Sequence, residues 1–212
     1  MARVHFRKDY ALGGLHRKSL HADPISQFDR WFRKALQTQK DEAYAMTLAT
    51  ADLRGRPSLR IMLLRAYERS GFTFYTNYGS RKSADLELNP YAALCFFWPA
   101  LERQVRITGR VVKTSRADSE AYFHTRPLGN QLAAWVSQQS RIIPSHDSLD
   151  QRLVMMNEKF HGCEVPLPSW WGGYLLKPDT IEFWQGRPDR LHDRFCYSRK
   201  RNGRWKIERL SP

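Results

Sequence analysis

AYAMTLATADLRGRPSLRIMLLRAYERSGFTFYTN, residues 43–77, is the stretch that decides the fold. AYAMTLAT (43–50) reads as one strand, and the DLRGRP that follows, residues 52–57, is a turn containing glycine and proline. Residues 58–67 read as a second strand, Ser70–Gly71 as another turn, and 72–77 as a third strand. Short strands joined by tight turns build an antiparallel meander, because parallel pairing would need a crossover of a dozen or more residues.

Upstream, Asp23–Pro24 is a good helix start, an N-cap carboxylate followed by proline at the first helical position. Ile25, Phe28, Trp31, Phe32, Ala35 and Leu36 then mark one helical face to about Gln39, a core face. Residues 1–22 are basic and irregular and read as a mobile N-terminal segment, leaving 23–212 as a single domain. Downstream, a short helix is expected over 80–88, stopped by Asn89–Pro90. Strands are expected over 91–98 and 102–114. Apolar residues fill both parities of 91–98, so that strand is expected to be buried on both faces. Helices follow around 117–125, 128–138 and 148–160, then the connector VPLPSWWGG and strands from Gly173 and Ile181. Strands at 195–198 and 205–210 form a hairpin around Arg201–Asn202–Gly203. Seven or eight antiparallel strands with peripheral helices make a mainly β, α+β chain, a closed or split barrel.

The chain has 212 residues, 42% of them hydrophobic and 13% aromatic, which suits one folded domain. Thirty-five basic against 21 acidic residues leave a net charge of +14, a surplus that attracts phosphate on nucleic acid, membrane or small ligand. Three widely spaced cysteines form no CxxC or zinc spacing, so reduced thiols in the cytoplasm are the expectation. MARVHFRKDY has no secretory h-region, and the longest nearly apolar run, 91–101, is too short to span a bilayer. Seven scattered histidines give no expectation of a metal, and GxxxxGK[ST], GxGxxG, HExxH and GxSxG are absent.

Cations carry the chemistry that remains. Arg60 and Arg65 bracket IMLL; five apart, they face opposite sides of a regular strand unless it bends. Ser80–Arg81–Lys82 opens a helix, where free N–H groups, a hydroxyl and two cations can cradle phosphate, or simply cap a solvated helix. Tyr122 and Arg126 share a helical face, as a site pair or an exposed stack. In IEFWQGRPDRLHDR (181–194), Arg190, His192 and Arg194 are spaced two apart and would project from one face of an extended segment. The same spacing describes an ordinary edge strand whose charges deter edge pairing.

RIMLLR, FYTNYGSRK, LERQVRITG, YFHTRP, AWVSQQS, VPLPSWWGG and IEFWQG with RLHDR, in that order along the chain, resemble blocks of the pyridoxine (pyridoxamine) 5'-phosphate oxidase family. The resemblance runs from about Arg7 to Pro212. It implies an FMN-binding split β-barrel and a homodimer with FMN at the subunit interface. It further implies oxidation of a phosphorylated pyridine to pyridoxal 5'-phosphate by O2, with H2O2 as product. FMN would be held by Arg60, Ile61, Met62, Leu63, Leu64, Arg65, Tyr75, Thr76, Arg81, Lys82, Gln104, Gln139, Ser140, Trp184 and Arg194. Substrate would meet Arg7, Tyr10, Arg65, Tyr122, Arg126, Asn130, Arg190 and His192, the last two as catalytic residues and Arg7 with Tyr10 as part of a lid. Two positions depart from the family pattern: Arg65 stands where lysine is usual and Asn130 where serine is usual. A sibling flavin oxidase of the phenazine-biosynthesis type and a non-catalytic flavin or pyridoxal-phosphate carrier remain as alternatives. A nucleic-acid binder would also use the charge, but no recognition module or basic–aromatic stripe is present, so neither specific nucleic acid nor membrane is expected as a partner.

Overall fold

The computed structural model describes residues 9–212. Its meander consists of β1 (Ala45–Ala51), β2 (Pro57–Leu63), β3 (Ala66–Glu68) and β4 (Gly71–Asn77). After α2 (Arg81–Leu88) come β5 (Tyr91–Trp98) and β6 (Arg103–Lys113). Three helices follow, α3 (Arg116–His124), α4 (Leu128–Val136) and α5 (Asp147–Lys159). The chain ends with β7 (Trp171–Gln185), β8 (Asp193–Arg199) and β9 (Trp205–Leu210). All pairings are antiparallel, in the order β2-β1-β5-β6-β7-β4-β3, with β8 on β7 and β9 on β8. The result is the expected mainly β split barrel with peripheral helices.

The first helix, α1 (Pro24–Gln39), starts where its cap predicts: the Asp23 carboxylate accepts from the N–H groups of Ile25 and Ser26. It lays Phe28, Trp31, Phe32 and Ala35 into the main core, where Phe28 meets Phe72 and Phe96 edge-on. A second core gathers Phe123, Leu132, Val165, Leu167 and Trp171 under the helices.

Four expectations change. The strand expected over 58–67 breaks at Leu64–Arg65: the Leu64 N–H donates to Tyr44 O, whereas the Arg65 N–H donates to Thr73 O. The chain there leaves β1 for β4, pinned by the buried Leu64 side chain, so parity no longer opposes Arg60 to Arg65. β5 is buried on one face only. Ala92, Leu94, Phe96 and Trp98 point inward, while Phe97 is 50% exposed. On β2, two strands away, Leu59 and Ile61 are 70% and 65% exposed, so an apolar sheet face lies uncovered in the single chain. Thirdly, 171–185 is one strand, not two. Its passage at Pro178 is absorbed by a bulge at Thr108/Gly109, where a Cβ on Gly109 would fall 2.0 Å from Lys177 O.

The last change concerns residues 9–22, expected as a mobile segment. Leu15 is buried in the main core, and the Leu12 and Leu15 N–H groups donate to the Glu102 and Asp193 carboxylates at 2.9 Å. Among the described residues, no helix is long and apolar enough to cross a membrane.

Candidate functional site

At the end of β4 the chain turns through Asn77–Ser80 into α2. The Asn77 side chain braces that turn, accepting from the Gly79 N–H at 2.7 Å and donating to Ser137 O at 3.1 Å. Ser80 occupies the N-cap position, yet its hydroxyl makes no capping bond to the helix backbone. It accepts instead from Lys82 Nζ, which also donates to Thr76 Oγ1 and Gln139 Oε1, all within 3.1 Å. Lys82 is only 6% exposed. An ammonium taken out of water and met by three neutral oxygens is poorly compensated. Burial, with the Arg60 charge in support, accordingly pushes its pKa down to about 8.

Arg60 reaches the same neighbourhood from β2, donating to Leu48 O, Thr50 Oγ1 and Ser58 Oγ. Burial lowers its pKa; Asp85 opposes that shift and Arg81 adds to it. Asp85 is engaged by the Thr50 hydroxyl at 2.6 Å. The Arg81 N–H donates to Ser140 Oγ at 3.3 Å, tying the loop after α4 to the start of α2. The expected cradle residues Arg60, Thr76, Arg81, Lys82, Gln139 and Ser140 are thus brought together.

Beside this cradle lies a cavity of about 320 Å³. Ile61, Met62, Leu63, Arg65, Tyr75, Thr76, Tyr122, Arg126 and Gln139, all among the residues the resemblance names, line it. Leu64 does not; it belongs to the core. The wall is a stack of three rings: Tyr75 on Tyr122 at 3.9 Å, with Trp171 nearly parallel to both at 5.6 and 6.2 Å. The Arg126 guanidinium lies 4.5 Å over Trp171, and that of Arg65 lies 5.9 Å over Tyr122. Arg126 Nη1 is buried without a hydrogen-bond partner. Burial lowers the Arg126 pKa; Tyr122 opposes the shift, and nearby Arg65 adds to it. An orphaned guanidinium N–H beside a second guanidinium selects an anion with several acceptor oxygens. The sequence reading missed Trp171, Asn77 and Ser137, although all three lie in or beside its motif blocks.

A second cluster sits at the far end of β7. The segment is not extended as a whole: Pro188–Arg190 forms a short 3-10 turn, with Asp189 and Arg190 at φ 54° and 60°, and the strand begins only at Asp193. Arg190, His192 and Arg194 therefore do not share one strand face. The Arg187 N–H donates to His192 Nδ1 at 3.2 Å, which leaves the proton of the neutral ring on Nε2. Burial, then the Arg190 charge, lowers the His192 pKa. The imidazole lies 4.6 Å from the Trp184 ring, and Tyr10 stands edge-on to both at 5.5 and 5.8 Å. Gln104 pairs with Trp184 in register. Arg194 is held by Glu182 at 2.8 Å and by Ser211 O at 2.8 Å.

Neither Gln104, Trp184, Arg190, His192 nor Arg194 lines the cavity, and Asn130 is exposed on the first turn of α4, outside it. Trp171 and Trp184 mark the two ends of β7, and 13 residues of strand at about 3.3 Å each put roughly 40 Å of contour between them. Arg7 lies outside the described residues. Among the described residues, no group of three or more His, Cys, Asp or Glu could hold a metal.

Comparison with known proteins bears on both clusters. A family model described as pyridoxamine 5'-phosphate oxidase matches residues 32–157. A second, described as the pyridoxine 5'-phosphate oxidase C-terminal dimerisation region, matches 171–212. Curated proteins named pyridoxine/pyridoxamine 5'-phosphate oxidase are similar over 206 residues, 97% of each chain. The one from Paraburkholderia phymatum is 52% identical and that from Cupriavidus necator 53%. Among solved structures, PhzG from Burkholderia lata, in complex with tetrahydrophenazine-1-carboxylic acid, superposes with a TM-score of 0.86 at 28% identity, over 92% of this chain and 95% of its own. A pyridoxamine 5'-phosphate oxidase-related, FMN-binding protein from Nostoc punctiforme shares the fold, with a TM-score of 0.73 at 17% identity over 91% and 100% of the two chains.

Proposed function

Because this chain belongs to the pyridoxine/pyridoxamine 5'-phosphate oxidase family, we propose that it converts pyridoxine or pyridoxamine 5'-phosphate to pyridoxal 5'-phosphate with bound FMN. O2 is the terminal acceptor; the alcohol yields aldehyde and H2O2, and the amine, with one water, yields aldehyde, ammonia and H2O2. One observation carries the reading: two separate anion-seeking clusters, Lys82 with Arg60 and Arg65 with Arg126, adjoin one aromatic cavity through Thr76 and Gln139. Two phosphates, one on the cofactor and one on the substrate, fit that pair.

The residues present fit FMN. The buried Lys82 ammonium lacks an anionic hydrogen-bond partner, and the ribityl phosphate would supply it, with Arg60, Arg81 and Ser140 around it. FMN, when bound, supplies the acceptor for the hydride that leaves C4' of the substrate. Arg65 and Arg126 hold the substrate phosphate bidentately, and Tyr122 lends the pyridine an apolar wall. Arg65, longer and planar where lysine is usual, keeps the charge and adds a fork. Arg190 and His192 orient the ring and stabilise charge at the reacting carbon, with His192 offering a fixed Nε2–H.

Completion of this site requires a second copy. Gln104, Trp184, Arg190, His192 and Arg194 stand at the other end of β7 from the cavity, and the uncovered Leu59–Ile61 face of β2 is the kind of surface a homodimer buries. A cytoplasmic location, with Cys95, Cys163 and Cys196 all unpaired, belongs to the same proposal.

The test is a visible spectrum of the purified protein before and after anaerobic addition of pyridoxine 5'-phosphate. Flavin bands that bleach with substrate and return with air are expected. A protein that cannot be loaded with FMN refutes the cofactor assignment. A yellow protein that bleaches with tetrahydrophenazine-1-carboxylic acid and not with the phosphorylated pyridine assigns it to the PhzG-like reading instead.

A further inference from the structure

We infer that Asp193 is a positioning residue: its carboxylate fastens the segment carrying Tyr10 and the turn carrying His192 to one point, and so sets the Tyr10–Trp184–His192 cluster. The inference rests on the reading that His192 faces the substrate. Asp193 opens β8, is 8% exposed, and gathers the Leu15 segment, the turn at Arg187 and β9 at Arg209. Its Oδ2 accepts from the Leu15 N–H at 2.9 Å and lies 3.7 Å from Arg187 Nε. Its Oδ1 accepts from Arg209 Nη1 at 2.6 Å. Burial alone would raise its pKa, but the Leu15 N–H and the Arg209 and Arg187 charges outweigh that and hold it low, so the carboxylate is ionised at neutral pH.

Two of these contacts, Arg187 and Leu15, lead to the cluster around His192. Arg187 is held through its side chain, and its own N–H donates to His192 Nδ1, so the carboxylate steadies the bond that selects the tautomer. Leu15 is fixed in the core, and with Leu12 held on Glu102 the chain is led back over the end of β7. There Tyr10 seats against Gly186. A Cβ at Gly186 would lie 2.6 Å from Tyr10 Cγ, so the bare backbone of that residue is part of the seat. Removing the charge at 193 therefore loosens two walls of one cluster, while leaving the Arg65–Arg126 cavity untouched.

The experiment compares Asp193→Asn, Tyr10→Ala, Gly186→Ala and His192→Ala in the FMN-loaded full chain. Asp193→Asn is expected to speed amide exchange at Leu12 and Leu15. It should also lower kcat/KM for pyridoxine 5'-phosphate about tenfold or more, the scale on which misplaced site groups act. Tyr10→Ala should lower it as well, and the Asp193→Asn/Tyr10→Ala double variant should lose far less than the product of the two losses. Multiplicative losses overturn the inference, because an independent structural role would give them. If Asp193→Asn does not fold, Gly186→Ala evicts Tyr10 with every Asp193 bond retained. It must then show the same non-additivity with Tyr10→Ala, together with unchanged exchange at Leu15; multiplicative losses there refute the seat. Full activity in Tyr10→Ala beside an impaired His192→Ala refutes the positioning role alone. Full activity in both refutes the site reading beneath it.

Discussion

Lys82→Met offers the sharpest test of the cradle, because the pH at which the effect appears is set by the buried ammonium. Its pKa in the ligand-free protein is about 8, against an ordinary 10.5, and burial is the main cause. A dianionic phosphate restores the compensation that burial removed, so the bound state holds the proton to higher pH. Binding above pH 8 must therefore take up a proton. Affinity then falls as 1 + 10^(pH − 8), giving about a 30-fold loss between pH 7 and pH 9.5. The same shift has a stability consequence with a definite sign. Between pH 8 and 10.5 the unfolded lysine binds more protons than the folded one, so this group makes the apoprotein more stable as pH rises through that window. Methionine keeps the volume and abolishes both effects. It also removes charge-assisted hydrogen bonding worth about 1.5–3 kcal/mol, so FMN binding at pH 7 should weaken about 10- to 150-fold. Flavin fluorescence quenching, titrated from pH 7 to 9.5 at constant ionic strength, reads all of this. A flat profile in the native protein, or an equal slope in Lys82→Met, refutes the assignment of Lys82 to the phosphate.

Two further outcomes follow from the cavity and the sheet. Arg126→Gln, which removes the orphaned guanidinium, should lower kcat/KM for the phosphate ester about 10- to 150-fold and leave turnover of unphosphorylated pyridoxine unchanged in steady-state kinetics. Leu59→Asp, on the uncovered face of β2 and outside the cavity, would bury two unpaired carboxylates in a symmetric dimer. At about 3 kcal/mol each, the dissociation constant rises about 10^4-fold, visible by sedimentation as a monomer that has lost FMN.

What could be read from the chain alone was what is decided within a few residues. Asp23–Pro24 marks the start of α1 because an N-cap carboxylate and an N1 proline act on the adjacent turn. Asn202–Gly203 marks the last hairpin because Gly203 takes a φ of 78°. The break at Leu64–Arg65 was not legible, since it exists only because Tyr44 O and Thr73 O lie on different strands. The regular spacing of Arg190, His192 and Arg194 was legible but misled, because a left-handed arginine at 190 carries no side-chain signature and the aspartate at 189, though of a type enriched at positive φ, gives only a weak one. The exposed Phe97 face of β5 misled for another reason. Apolar residues on both parities say that both faces avoid water, not which one is covered by the same chain.

That last point joins the fold to the chemistry. Phe97 and Leu59 would be an aggregation hazard on a monomer, and their pattern along β5 and β2 is that of a strand covered on both sides. The cavity adjoins that face, since Ile61 and Leu63 line it while projecting from β2 on the exposed side. A second copy seated there would bring to the cavity what one chain holds at the distant end of β7, namely Trp184, His192 and Arg190. The long strand, continuous across the Gly109 bulge, carries the two clusters at its opposite ends. Loss of catalysis in Leu59→Asp with an intact cavity, restored where high protein concentration restores the dimer mass, would tie the activity to that contact. Restoration of mass without activity would break the tie.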